Sequence, residues 1–218
     1  MEGVSEAPAD KVATRGKIDV ARRQLGTALS LYLVDKDAVS VHCLACGGAE
    51  ISAFLVEQAG ASGFADHAME AEPGLSIGRL IGLKNQYWNG MKHARAKAGK
   101  GWVIRNDATL LSDFNDRIND HALFVGWFDY AAAGLPLPIE AQVFQAWYFA
   151  CYPEKLDPSY PIEGIERTFN DMRPLSRKRR KSVLRRKIEW AKRQADVMRD
   201  ERTDRRPLIL NGEIDVTV

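Results

Sequence analysis

The chain lacks most of the patterns that announce an enzyme. No G-x-x-x-x-G-K-[ST] or G-x-G-x-x-G loop follows a β-prone segment, which excludes the usual phosphate cradles. Paired carboxylates at the spacing of glycosidases or di-iron helices are missing as well. Cysteine is scarce and odd in number: Cys43, Cys46 and Cys151 all lie in apolar segments. That pattern suits buried thiols in a reducing compartment rather than a disulfide framework, so the expected location is cytoplasmic. No run approaches the uninterrupted apolar length that a bilayer demands, so no membrane span is expected. The opening segment, residues 1–16, has no hydrophobic stretch behind it and reads as a flexible lead-in. Glycine and proline are absent from Ser176 to Arg206, which predicts one long helix there.

What remains is material for an ordinary core, with 45% hydrophobic residues in 218. The net charge of +2 hides an asymmetry. Residues 1–172 carry 16 Lys+Arg against 22 Asp+Glu, whereas residues 173–218 carry 15 against 7. An acidic body is thus followed by a basic extension. Apolar residues recur by threes and fours at Ile18, Ala21, Leu25, Ala28 and Tyr32, one face of a helix. A second helix runs from Ser40, its expected N-cap, to Gly60, its stop, and is apolar almost all round. It belongs at the centre of a bundle, and the small residues Ala45–Ala49 let a neighbour approach closely. A third helix is expected from about Ser76 to Lys97. Two β-prone pieces near 102–111 predict a short hairpin. Two aromatic-rich helices and a short one at 162–172 follow. The fold class is all-α: a bundle over 17–152, an extension over 153–206 and a tail over 207–218.

The chemistry-bearing stretch is "QYWNGMKHARAKAGK". On helical spacing Gln86, Asn89, His93 and Lys97 share a face. Lys92, Arg95, Lys97 and Lys100 add four cations, with no acid between Gln86 and Asn106. A histidine in such a setting can serve as a general base beside a phosphate, with the cations stabilising developing charge. The plainer reading is a histidine at a helix C-terminus, where cations suit the dipole.

"WNGMKH" on a short helical bundle resembles the HEPN superfamily, whose ribonucleases are compact bundles that often dimerise. Their signature is an arginine, commonly followed by asparagine, with a histidine four to six residues on. Asn89 and His93 match the asparagine and the histidine. Helix 1, "VSVHCLACGGAEI" and "NGMKHA" together are similar to a bacterial family with an Asn-x-x-Lys-His-Ala stretch after a Ser-x-His helix. The resemblance covers roughly residues 17–150. It departs at the arginine: Gln86, Tyr87 and Trp88 occupy the allowed positions, and His42, His67 and His121 lack one at the required spacing. The resemblance implies a protein associated with RNA or another nucleic acid, with Asn89, Lys92 and His93 as site residues. If it is an enzyme, it implies a metal-independent endoribonuclease with an altered site, no cofactor and a homodimer.

His42 and Cys46, one turn apart, can begin a zinc site, but no second pair at ligand spacing joins them, and no metal is expected. In the extension, eleven Lys+Arg and one acid, Glu189, lie between Arg173 and Arg193. Leu184, Ile188, Ala191, Ala195 and Met198 form a heptad-like seam that can dock on the bundle or on a second copy. Arg179, Arg186 and Arg193 line the opposite face, widened by Arg180, Lys187 and Lys192. This face suits a nucleic-acid backbone through counterion release, and with the HEPN-like resemblance the expected partner is RNA rather than DNA. Trp190 stacks on a base or simply packs. The competing readings are cations paired with the acidic bundle, and a scaffold that docks a partner through the seam. Lipid ranks last, and no membrane partner is expected.

Overall fold

The apolar spacing of the first helix is realised in the structure, a computed structural model that describes residues 9–155 and 163–214. Helix α1 (Ala9–Leu33) buries Ala21, Leu25, Ala28 and Tyr32 completely. It is followed by α2 (Ala38–Ala59), α3 (Phe64–Ala71) and α4 (Ile77–Lys92). A two-stranded antiparallel hairpin, β1 (Arg95–Ala98) and β2 (Gly101–Ile104), comes next. Then follow α5 (Ala108–Ser112), α6 (Ile118–Ala132), the short strand β3 (Leu137–Pro138) and α7 (Ile139–Cys151). After a 3-10 turn at Pro153–Lys155 come α8 (Glu163–Phe169), α9 (Arg177–Ala191), α10 (Ala195–Arg199) and β4 (Thr203–Asp204). The all-α expectation holds, with a small hairpin as its β component.

Helix α2 lies between α1 and α6, as its all-round apolar surface predicts. Close packing there rests on glycine. A Cβ added to Gly126 would lie 2.5 Å from Leu25 Cδ2, and one on Gly48 would lie 2.6 Å from Leu25 Cγ. Leu25 therefore fills space left by glycines on two different helices. Asp37, rather than Ser40, caps α2 by accepting from the Val39 and Ser40 amides, and Gly60 ends it at φ 62°. Contrary to the sequence reading, α2 is long and apolar enough to cross a bilayer; half of that stretch is buried in the protein. Helix α7 packs on α6 and carries α9 on its other side. Trp127, Phe144 and Trp147 fill the layers between them, all fully buried.

Three expectations need correction. Helix α4 stops at Lys92, and Lys97 lies on β1 instead of the helix face of Asn89. The hairpin spans 95–104, with a two-residue loop whose Gly99 adopts φ 57°, and 108–112 is helical rather than a second arm. The long C-terminal helix breaks after Ala191 without glycine or proline. Gln194 is extended there (φ −86°, ψ 112°), and the chain turns to set β4 beside β3. A tertiary demand overrides local propensity.

The tail is bound to α1. Arg22, fully buried, donates to Asp204 at 2.7 Å and to the Leu208 and Pro207 carbonyls at 3.1 Å. Arg23 reaches the carbonyls of Leu210, Gly212 and Glu213. The flexible lead-in was expected to reach residue 16, but 9–16 belong to α1; residues 1–8, 156–162 and 215–218 lie outside the described residues.

Replacing Gly126 with alanine or valine is expected to lower the unfolding free energy by about 1–3 kcal/mol through overpacking against Leu25. Urea denaturation checks this; an unchanged midpoint for Gly126→Val would contradict the close approach.

Candidate nucleic-acid interface

The cations of α9 are sorted into two rows by helical spacing. Arg177, Lys181 and Arg185, four residues apart, face the bundle. The Arg177 guanidinium donates to both oxygens of Asp120, at 2.6 and 2.7 Å, and to Asp116 at 2.7 Å. Asp120 is fully buried and also accepts from Tyr32 at 2.5 Å and Tyr152 at 2.8 Å. Lys181 pairs with Asp35 at 2.5 Å, and Arg185 with Asp35 at 2.9 Å and the Leu33 carbonyl at 2.8 Å. Burial alone would lower the Arg177 pKa, but its bonds to Asp120 and Asp116 raise it on balance. Burial, with Asp120 beside it, holds the Tyr32 hydroxyl well above its ordinary value. The seam residues Leu184, Ile188 and Ala191 are buried in the chain itself, and Leu184 and Ile188 join the core of Phe144, Trp147 and Met172. Ala195 and Met198 lie beyond the break and do not continue the seam.

The second row faces outward. Lys178, Arg179, Arg186, Lys187 and Arg193 have no carboxylate partner among the described residues. Two cations assigned to this stripe from sequence are otherwise engaged. Arg180 donates to the Leu175 and Arg173 carbonyls at 2.9 and 2.6 Å, and Lys192 pairs with Glu140 at 3.0 Å. Trp190 stands among the free cations, 56% exposed, with Lys187 Nζ 5.8 Å from its ring centroid. Shallow concavities flank it. One is lined by Arg185, Arg186, Glu189 and Arg193, the other by Val183, Arg186 and Lys187.

At the end of α4, His93 is the C-cap residue, its amide bonded to the Asn89 carbonyl at 3.0 Å. It is exposed and makes no side-chain hydrogen bond or ion pair among the described residues. Lys92 lies over the Trp88 ring, 3.6 Å from its centroid. Arg95 and Lys97 lie on β1, opposite Ile104 and Trp102, and Lys100 sits in the turn. The stretch thus keeps Asn89, Lys92 and His93 together on one helix end and moves the remaining cations onto the hairpin. Among the described residues no group orients the imidazole as a general base ordinarily requires.

His42 is a satisfied core residue. The Asn119 amide nitrogen donates to the Ala38 carbonyl, so its Oδ1 accepts from His42 Nδ1 at 3.0 Å. His42 Nε2 then accepts from the Cys46 thiol at 3.5 Å. Burial pushes the thiols of Cys46 and Cys151 up to about 12, which leaves neither as a nucleophile near neutral pH. Among the described residues no three His, Cys, Asp or Glu side chains are grouped to hold a metal. His121 bonds the Tyr148 hydroxyl at 2.8 Å, beside the Asp120 network rather than in an open cleft with His93. The sequence reading missed the inner row. Its signal was there in the i, i+4 spacing of Arg177, Lys181 and Arg185, which meet Asp120, Asp116 and Asp35.

Arg177→Ala is expected to cost about 3 kcal/mol, because it leaves the buried Asp120 charge to two tyrosine hydroxyls. Acidification should weaken the fold in two stages. Burial lowers the pKa of His42, so protonation favours the unfolded chain and stability falls as pH drops below about 6.5. For Asp35 and Asp204, burial opposes ionisation but bonds to Lys181 and Arg185, and to Arg206 and Arg22, outweigh it and lower the pKa. Their stabilisation is full above about 3.9 and is lost below it. Urea midpoints that stay flat from pH 8 to pH 5 would contradict the first stage. No family model, curated protein or solved structure matches this chain.

Proposed function

We propose that the chain binds nucleic acid, RNA in preference to DNA, through the outward face of α9, and holds it without cleaving it. The observation that carries this reading is the sorting of cations. One row is paired with carboxylates of the bundle, the buried Asp120 among them, and the other is left facing solvent around an exposed tryptophan. Arg179 and Arg186, seven residues apart, stand about 10 Å from one another along the helix axis, and Arg193 follows in the turn just beyond Ala191. Such a row can meet successive phosphates, and release of their counterions drives association. Trp190, with a concavity on each side, offers a stacking surface to an unpaired base. A base inside a duplex has no free face, so single strands are favoured. The HEPN-like resemblance agrees with an RNA-associated role. The cleavage it also implies is disfavoured because His93 lacks the signature arginine in sequence and an orienting partner among the described residues. The scaffold reading loses the surface it needed, since Leu184 and Ile188 are packed inside.

Anisotropy with labelled single-stranded RNA and duplex RNA tests this. Changing Arg179, Arg186 and Arg193 to glutamine should weaken single-strand binding and flatten its salt slope by about two, at roughly 0.7 per lost phosphate contact. Trp190→Ala should cost about 1–3 kcal/mol on single strands and little on duplex. Affinity and slope unchanged in the triple variant would overturn the assignment. Cleavage in EDTA that His93→Ala abolishes would replace binding with a ribonuclease.

A further inference from the structure

The hairpin after α4 carries large apolar side chains into solvent. Ile104 is 84% exposed, Trp102 69% and Val103 50%. Residues paired across an antiparallel ladder share a face. Trp102 is paired with Lys97 and Ile104 with Arg95, so one face presents an indole and an isoleucine flanked by two cations. Lys100, in the turn, adds a third at the tip. The charge of the surrounding segment is one-sided: residues 77–106 hold seven Lys+Arg and no Asp or Glu. Of these, only Arg105 is ion-paired among the described residues, with Asp107 just beyond the segment.

An occupant of this face must be anionic and must also accept aliphatic surface. A second copy of the chain fails the first condition, because two such faces bring like charges together. A nucleic acid meets the charge and can stack on Trp102, but it leaves Ile104 in water. An anionic bilayer surface meets both conditions. Tryptophan favours the headgroup boundary, and isoleucine enters the acyl region just below it. Arginine and lysine can lay their stems on the apolar surface and turn their charges to lipid phosphates. We infer that the Trp102–Ile104 face of the hairpin is a peripheral anchor for anionic lipid bilayers. It lies on the surface without spanning it. This goes beyond the nucleic-acid reading and rests on different residues. It also departs from the sequence expectation of no membrane partner, which weighed lipid only against the C-terminal helix.

The test is co-sedimentation of the full chain with phosphatidylglycerol-containing vesicles and with pure phosphatidylcholine vesicles. Binding is expected to the anionic vesicles alone and to weaken as salt rises. Trp102→Ala combined with Ile104→Ser should reduce it at least about tenfold, as should Arg95→Gln with Lys97→Gln and Lys100→Gln. All five positions are exposed, so thermal melting should hold in both variants and separate lost binding from lost folding. Arg186→Gln with Arg193→Gln should retain vesicle binding, which keeps this surface distinct from α9. The inference is overturned if the wild-type chain stays in the supernatant with anionic vesicles, or if the Trp102/Ile104 variant still pellets with them. It is equally overturned if that variant keeps its vesicle binding and loses RNA, or turns a dimer into a monomer.

Discussion

The bond between Arg177 and Asp120 organises the C-terminal half of the molecule. Asp120 is fully buried on α6 and is approached by two tyrosine hydroxyls and a bidentate guanidinium from α9. A charge so placed is costly unless each oxygen is satisfied, and the geometry is one that satisfies them. Once Arg177 is fixed there, the rotation of α9 about its axis is fixed too. Lys181 and Arg185 then fall on Asp35, while Leu184 and Ile188 fall into the core beside Trp147. The same rotation turns Arg179, Arg186 and Arg193 to solvent. The outer face is a consequence of the inner one.

This resolves a balance that charge counts leave open. The acidic body and basic extension do attract one another, but through a few geometrically specific pairs rather than by general neutralisation. Half of the helix's cations hold the helix in place. The others, with Trp190 among them, are left facing solvent. A second one-sided cationic surface lies on the hairpin, separate in sequence and different in kind, since its apolar residues are aliphatic as well as aromatic.

Much of the bundle could be read from sequence. Ala21, Leu25, Ala28 and Tyr32 repeat at helical spacing because burial on one face demands it, and Gly60 stops α2 because only glycine accepts a left-handed φ cheaply. The misread boundaries have a common cause. Residues 93–98 and 192–194 have acceptable helical propensity, yet pairing with β2 and the turn toward β3 decide their conformation. Such long-range partners are not visible in a local window. The candidate site was legible in part for the same reason. The outer arginines follow from spacing alone, but the capture of Arg180 by backbone carbonyls and of Lys192 by Glu140 depends on the folded chain. His93 was expected near a helix end, where the structure has it, but that no described residue orients it is a fact of three dimensions.

The central claim, that α9 divides its cations between structure and ligand, is most directly tested by arginine-selective dicarbonyl labelling read by mass spectrometry, with and without single-stranded RNA. Arg179, Arg186 and Arg193 should label readily in the free protein and be protected by RNA, while Arg177 stays slow in both. Labelling of Arg177 at the rate of Arg186, or outer arginines that RNA leaves unprotected, would contradict the account.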